Sequence, residues 1–161
     1  MKKNYRGVNC SSWVNPRKKF PWTVEFEGLE PALVQQVTIP GLSVEVAEHG
    51  SSNILVKTGG MVKVGDIELK KLMFMDKNEN WAYDWFKKVS DPENGTMGVP
   101  SEYKRNGYII FHDTDLETIL EKWQVIGCFP KQIEKDELDR KSSDDIIEKV
   151  VLSCDRVIRS S

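Results

Sequence analysis

His49 and His112 are the whole imidazole complement of this 161-residue chain, and neither stands in a metal-ligand spacing such as HxxxH or HExxH. His112 precedes Asp113, the order in which an aspartate orients a general base, yet a histidine ahead of a turn aspartate is ordinary surface composition. The paired carboxylates Asp113/Asp115 and Asp144/Asp145 could serve acid–base hydrolysis, but both sit in turn-like polar contexts where capping is the usual role. GxGxxG, GxxxxGK[ST] and GxSxG are all missing, and Gly59-Gly60 is turn chemistry rather than a phosphate cradle. Cys10, Cys128 and Cys154 are odd in number and share no CxxC spacing, which argues against a disulfide framework or zinc site and for a reducing compartment. Trp13, Trp22, Trp81, Trp85 and Trp123 could form a ligand platform; Trp81 and Trp85 share a helical stripe and Trp22 lies in a strand alternation, so core packing accounts for them better. The expectation is a chain with no catalytic set, no metal and no cofactor.

The length suits one domain with arms, and a charged fraction of 30% suits a folded protein. Lys2, Lys3, Arg6, Arg17, Lys18 and Lys19 give residues 1–20 six cations and no acid, which leaves 17 basic and 25 acidic side chains, a net of −8, for residues 21–161. A basic arm on an acidic body is expected to dock on a neighbour's acidic surface or to lie solvated. A nucleic-acid-binding face would need cations spread over a fold and interleaved with stacking aromatics, a pattern not seen here. The first residues lack the apolar core of a signal peptide, and no apolar run approaches the ~20 residues of a membrane span.

Periodicity then predicts the elements. Trp22, Val24 and Phe26 alternate with Thr23 and Glu25, a strand with one buried face. Further strands are expected over residues 33–39 and 43–48, followed by an exposed excursion over residues 49–60 around Ile54-Leu55-Val56. Residues 61–75 read as extended with a bulge or tight turn at Gly65-Asp66. Asp76 and Glu79 are spaced as a capping pair for a three-turn helix carrying Trp81, Ala82, Trp85, Phe86 and Val89 on one stripe. A long loop is expected over residues 90–106, a strand over 108–111, a turn at Asp113-Thr114-Asp115, and a strand over 116–129 stopped by Pro130. A polar arm over 131–145 and a single closing strand over 146–158 complete the reading.

The order of these pieces resembles the tail tube proteins of contractile-tailed, T4-like bacteriophages, related in fold to pyocin tubes and to the Hcp tube of type VI secretion. The segments that carry the resemblance are PWTVEFEGL at 21–29, VTIPGLSVEV at 37–46, GGMVKVGDIELKKLMF at 59–74 and WAYDWFKKV at 81–89. GYIIFHDTD at 107–115, EKWQVIGCFPKQI at 121–133 and IIEKVVLSCDRVIR at 146–159 continue it. The resemblance implies a mainly β subunit, an antiparallel β-barrel or sandwich with one flanking α-helix, assembled into hexameric rings that share one β-barrel wall and stack into a hollow tube. It implies a non-enzymatic virion component, assembled in the host cytoplasm, with the tail sheath, baseplate and tape measure proteins as partners and double-stranded DNA passing without sequence recognition or membrane contact. Glu45, Glu48, Asp66 and Glu68 are the expected lumen-facing residues, since an acidic or neutral lining lets DNA slide. Ile54, Leu55, Val56, Lys18, Lys19, Asp136, Glu137 and Asp139 are the expected inter-subunit contacts. The rival readings are an Hcp-like tube of a secretion or contractile injection system, a monomeric ligand-binding β-barrel, and an enzyme on a β-scaffold.

Overall fold

A computed structural model describes residues 17–73 and 80–160. The strand β1 (Trp22–Phe26) places Val24 and Phe26 in the core, as its alternation dictates. A 3-10 turn at Pro31–Leu33 leads into β2 (Val34–Thr38), so the expected second strand loses its first residue to the turn. Next come β3 (Leu42–Ser51), β4 (Ile54–Val64) and β5 (Ile67–Leu72), then the helix α1 (Trp81–Val89) and the single-turn α2 (Pro100–Tyr103). The chain closes with β6 (Arg105–His112), β7 (Ile119–Lys135), β8 (Ile147–Ser153) and β9 (Arg156–Ser160).

All pairings are antiparallel, and they build two layers that share β7. The first layer is β1, β6, the N-terminal half of β7, and β9; the second is β2, β5, β8 and the C-terminal half of β7. A strand that switches layers makes the corner of an orthogonal sandwich. Pairing starts at β1 and ends at β2 without a ladder between them, so the described residues form an open sandwich and not a closed barrel. The seven strands of this sheet leave two edges in each layer.

The corner depends on Gly127, which takes φ +68° and whose added Cβ would strike the Asp155 carboxylate. Asn106 Oδ1 accepts from the Gly127 amide at 3.1 Å, and Lys104 Nζ reaches Asp155 at 2.7 Å. Opposite, the chain bends at Cys154-Asp155, so β8 joins one layer and β9 the other. The expected single closing strand is thus two strands, because its two halves must follow β7 round the corner. Pro130 does not stop β7: it lies buried at an irregularity in the pairing with β8, where a ladder tolerates a residue without an N–H. The expected polar arm accordingly begins after Lys135 rather than at residue 131.

One core fills the sandwich: Val24, Phe26 and Ile109 from one layer meet Ile67, Leu69, Val150 and Leu152 from the other. Helix α1 adds Ala82 and Trp85, both fully buried, and Phe26, Trp81 and Trp85 form a tilted ring cluster with centroids 5.3–6.3 Å apart. Trp85 Nε1 donates to Tyr103 O at 2.6 Å and Trp81 Nε1 to Glu27 O at 2.8 Å, so these indoles are structural. Lys87 and Lys88 lie in the last turn, where the helix dipole favours cations. The expected capping pair Asp76/Glu79, and Trp13, lie outside the described residues. The stretch expected as one long loop instead holds a bridge between Ser90 and Met97, then α2, and β6 begins inside it at Arg105.

Candidate assembly surfaces

β3 and β4 pair only with each other, in a hairpin turned at Ser52-Asn53, with Ser52 at φ +54°. Residues 49–60, expected as a loop excursion, are therefore the distal half of a hairpin whose register shifts between Val44 and Val46: Ile54, Leu55 and Val56 are the first residues of β4. Alternation and register put Leu42, Val44, Val46, Glu48, Leu55, Lys57 and Val62 on one face. Glu45, Ala47, His49, Ile54, Val56, Thr58 and Lys63 occupy the other. Leu42, Val44, Val46, Ile54, Leu55, Val56, Met61 and Val62 are each at least half exposed. An isolated two-stranded hairpin is marginal in water, and this one leaves most of its apolar side chains open to solvent.

Each of the four acids expected to face a lumen is held by a lysine. Glu45 meets Lys63 at 2.6 Å, Glu48 meets Lys57 at 3.8 Å, Asp66 meets Lys131 at 2.9 Å and Glu68 meets Lys149 at 3.6 Å. Glu45 and Glu48, an odd number of residues apart on β3, stand on opposite faces of the hairpin. Glu68 is on β5 in the second layer, and Asp66 is in the turn before it.

The outward face of that second layer is polar. Its register gives one cross-strand row of Thr38, Glu68, Val151 and Gln132, and a second of Gln36, Lys70, Lys149 and Glu134. The inward face carries Val37, Ile67, Leu69, Val150, Leu152 and Ile133 and ends in a fully buried ion pair, Lys71 with Glu148 at 3.3 Å. The layer's edges are β2 and the C-terminal half of β7, which present unpaired backbone.

The remaining candidates are surface groups. Lys18 and Lys19 are exposed just ahead of β1. Asp136, Glu137 and Asp139 are exposed in the loop between β7 and β8, where Asp136 Oδ2 accepts from the Ile147 amide and Asp139 Oδ1 from the Lys141 amide. Leu138, 78% exposed, stands among them. Asp113 and Asp115 cap the β6–β7 turn, and the Thr118 hydroxyl and the backbone amides of Thr118 and Glu117 hold the Asp115 carboxyl below its usual value. His112 Nε2 lies 2.9 Å from Thr23 Oγ1, while His49 stands on the hairpin, so the two imidazoles do not converge. Among the described residues no three of His, Cys, Asp or Glu are grouped to hold a metal ion, and no helix is long and apolar enough to cross a membrane.

Sequence reasoning overlooked most of the hairpin's apolar surface, Leu42, Val44, Val46, Met61 and Val62. The available signal was two alternating apolar runs flanking a short turn, with more apolar positions than one core face needs. It also overlooked Lys70, Lys149 and Glu134, whose partners lie on other strands.

No curated protein sequence matches the chain. Solved structures do. The cap of the anti-feeding prophage, described as its tube terminating cap, superposes with a TM-score of 0.76 at 19% identity, over 91% of this chain and 92% of that one. The sheath/tube terminator of an extracellular contractile injection system, PVC, in the extended state gives 0.74 at 23% identity, over 91% and 98%. The PVC sheath-tube complex in the extended state gives 0.73 at 22% identity, over 91% and 92%. These likenesses establish the fold. The model of the T4-like virus tail tube protein gp19 family matches residues 18–158, nearly the whole described fold, and the chain belongs to that family of tail tube proteins.

Proposed function

We propose that this protein is a structural tube subunit whose hexameric rings stack into a hollow tube. The observation that carries the reading is the open second layer. Its four strands alternate in direction, so the free edge of β7 runs opposite to the free edge of β2, and one copy's β7 can continue antiparallel onto the next copy's β2. A head-to-tail contact of this kind closes into a ring when the rotation allows. Six copies give a wall of about 24 strands, and barrels of 16–18 strands already enclose water. At about 4.8 Å per strand the wall is about 115 Å around and about 37 Å across, wide enough for a double helix.

The hairpin supplies the second contact: its apolar faces pack on neighbouring copies within or between rings. The basic arm, residues 1–20, docks through Lys18 and Lys19 on a neighbour's acidic loop carrying Asp136, Glu137 and Asp139. In a phage the tube conducts DNA during ejection from the tail of the virion, inside a sheath and above a baseplate. The similar structures, a tube cap and a sheath-tube complex of contractile injection systems, favour a second reading, an injection-system tube that delivers other cargo. Electron microscopy of the concentrated protein is expected to show six-fold rings and tubes; compact single particles under every condition would sink the proposal. Antibody labelling of producing cells separates the readings: labelled tails on capsids support the phage, labelled particles without capsids the injection system.

A further inference from the structure

We propose that Glu68 and Glu134 keep the channel lining electrically neutral by offsetting Lys70 and Lys149, so that duplex DNA passes without sticking. The inference rests on the ring closure proposed above. Geometry decides which face lines the channel. A second layer packs about 10 Å from the first, so inside a wall about 37 Å across there is no room for six copies of the β1 layer and α1. Those elements lie outside, and the polar face of β2, β5, β8 and β7 points inward.

That face repeats Thr38, Glu68, Val151, Gln132 and Gln36, Lys70, Lys149, Glu134, two acids against two lysines per copy. Lys70 and Lys149 are direct cross-strand partners, a destabilising juxtaposition of like charge unless acids adjoin it. Glu68 lies 3.6 Å from Lys149, and Glu134, which accepts from Gln132 Nε2, is the register partner of Lys149 on the neighbouring strand β7. The flanking Asp66–Lys131 pair is also balanced. The acidity of the folded body therefore does not reach this surface; it is carried elsewhere. Lysines without these glutamates would form rings of about a dozen unneutralised cations, which bind phosphates strongly at low salt.

The test compares tubes of the wild type, of E68Q/E134Q, and of E68Q/K70Q/E134Q/K149Q, each incubated with a fluorescent duplex of about 20 base pairs. Wild-type and fourfold-substituted tubes are expected to retain little duplex. E68Q/E134Q tubes are expected to retain it at about 50 mM salt and to lose about a thousandfold in affinity by about 200 mM. Equal retention by all three would overturn the proposal. Orientation is checked independently with T38C in a C10S background: in tubes it should react with a small maleimide but not with one carried on a globular protein, and in dissociated subunits with both. Equal labelling of assembled tubes by both reagents would place this face outside and also overturn it. Absence of tubes in the wild type would overturn the tube reading itself, whereas tubes with the wrong retention or labelling overturn only this inference.

Discussion

At the scale of single residues, the ion pair of Lys71 and Glu148 is the clearest departure from hydrophobic economy, since both side chains lie almost wholly inside the fold. Removing one partner leaves a buried charge, so Glu148→Ala is expected to cost about 3–5 kcal/mol in urea unfolding, whereas K71M/E148L should lie within about 1 kcal/mol of wild type or above it. The pair closes the inward rows of β5 and β8 at one end, where a slip by one residue would bring Lys71 to the outer face. Glu121 behaves differently with pH. The Arg17 guanidinium, the Trp123 indole and Arg159 hold its carboxyl below the usual value of 4.5. A depressed pKa contributes stability that is full above 4.5 and is lost as pH falls through the lower folded value. Glu121→Gln should therefore flatten the decline of the unfolding midpoint below about pH 4.5, with Arg17→Ala giving a partial version; an unchanged acid limb would contradict the assignment.

At the scale of elements, the β3–β4 hairpin folds from strong local signals and yet lacks a core of its own. V44D/V62D places two charges on directly paired, exposed positions, so it should leave the melting temperature of the subunit within a few degrees of wild type. It should, however, shift a sizing column from assemblies to single subunits; persistence of assemblies would show that this face carries no contact. The alternation of Trp22, Val24 and Phe26 was legible because each side chain meets the same core, and α1 was legible because Trp81, Ala82 and Trp85 repeat at helical spacing. Residues 131–135 were not legible as strand, since Pro130 normally ends one and their side chains are mostly polar. All but Ile133, which packs on the core, are exposed, and the segment is held by pairing with β8, a partner 15 or so residues away.

At the scale of the whole molecule, the proposed ring joins copies through the free edges of β2 and β7. Within one subunit they are separated by β5 and β8, about 14 Å apart, beyond the reach of a disulfide. Cysteines placed at Gln36 or Thr38 on β2 and at Gln132 or Glu134 on β7, in a C10S background, should therefore cross-link only between copies. Oxidised assemblies are expected to give a ladder on a denaturing gel that ends at six subunits, and monomers at every pairing would contradict the wall.

By itself the sequence established a mainly β chain with one amphipathic helix, and through the order of its segments it pointed to tail tube proteins, because periodicity and turn chemistry are written within a few residues of one another. It did not establish that β7 changes layers at Gly127, that Glu45 and Glu48 part to opposite faces, or that Lys149 on β8 meets Glu68 on β5. Those outcomes depend on which strands become neighbours and in what register. Only tertiary structure decides that, because cross-strand partners are chosen by burial of the whole core rather than by any local run of residues.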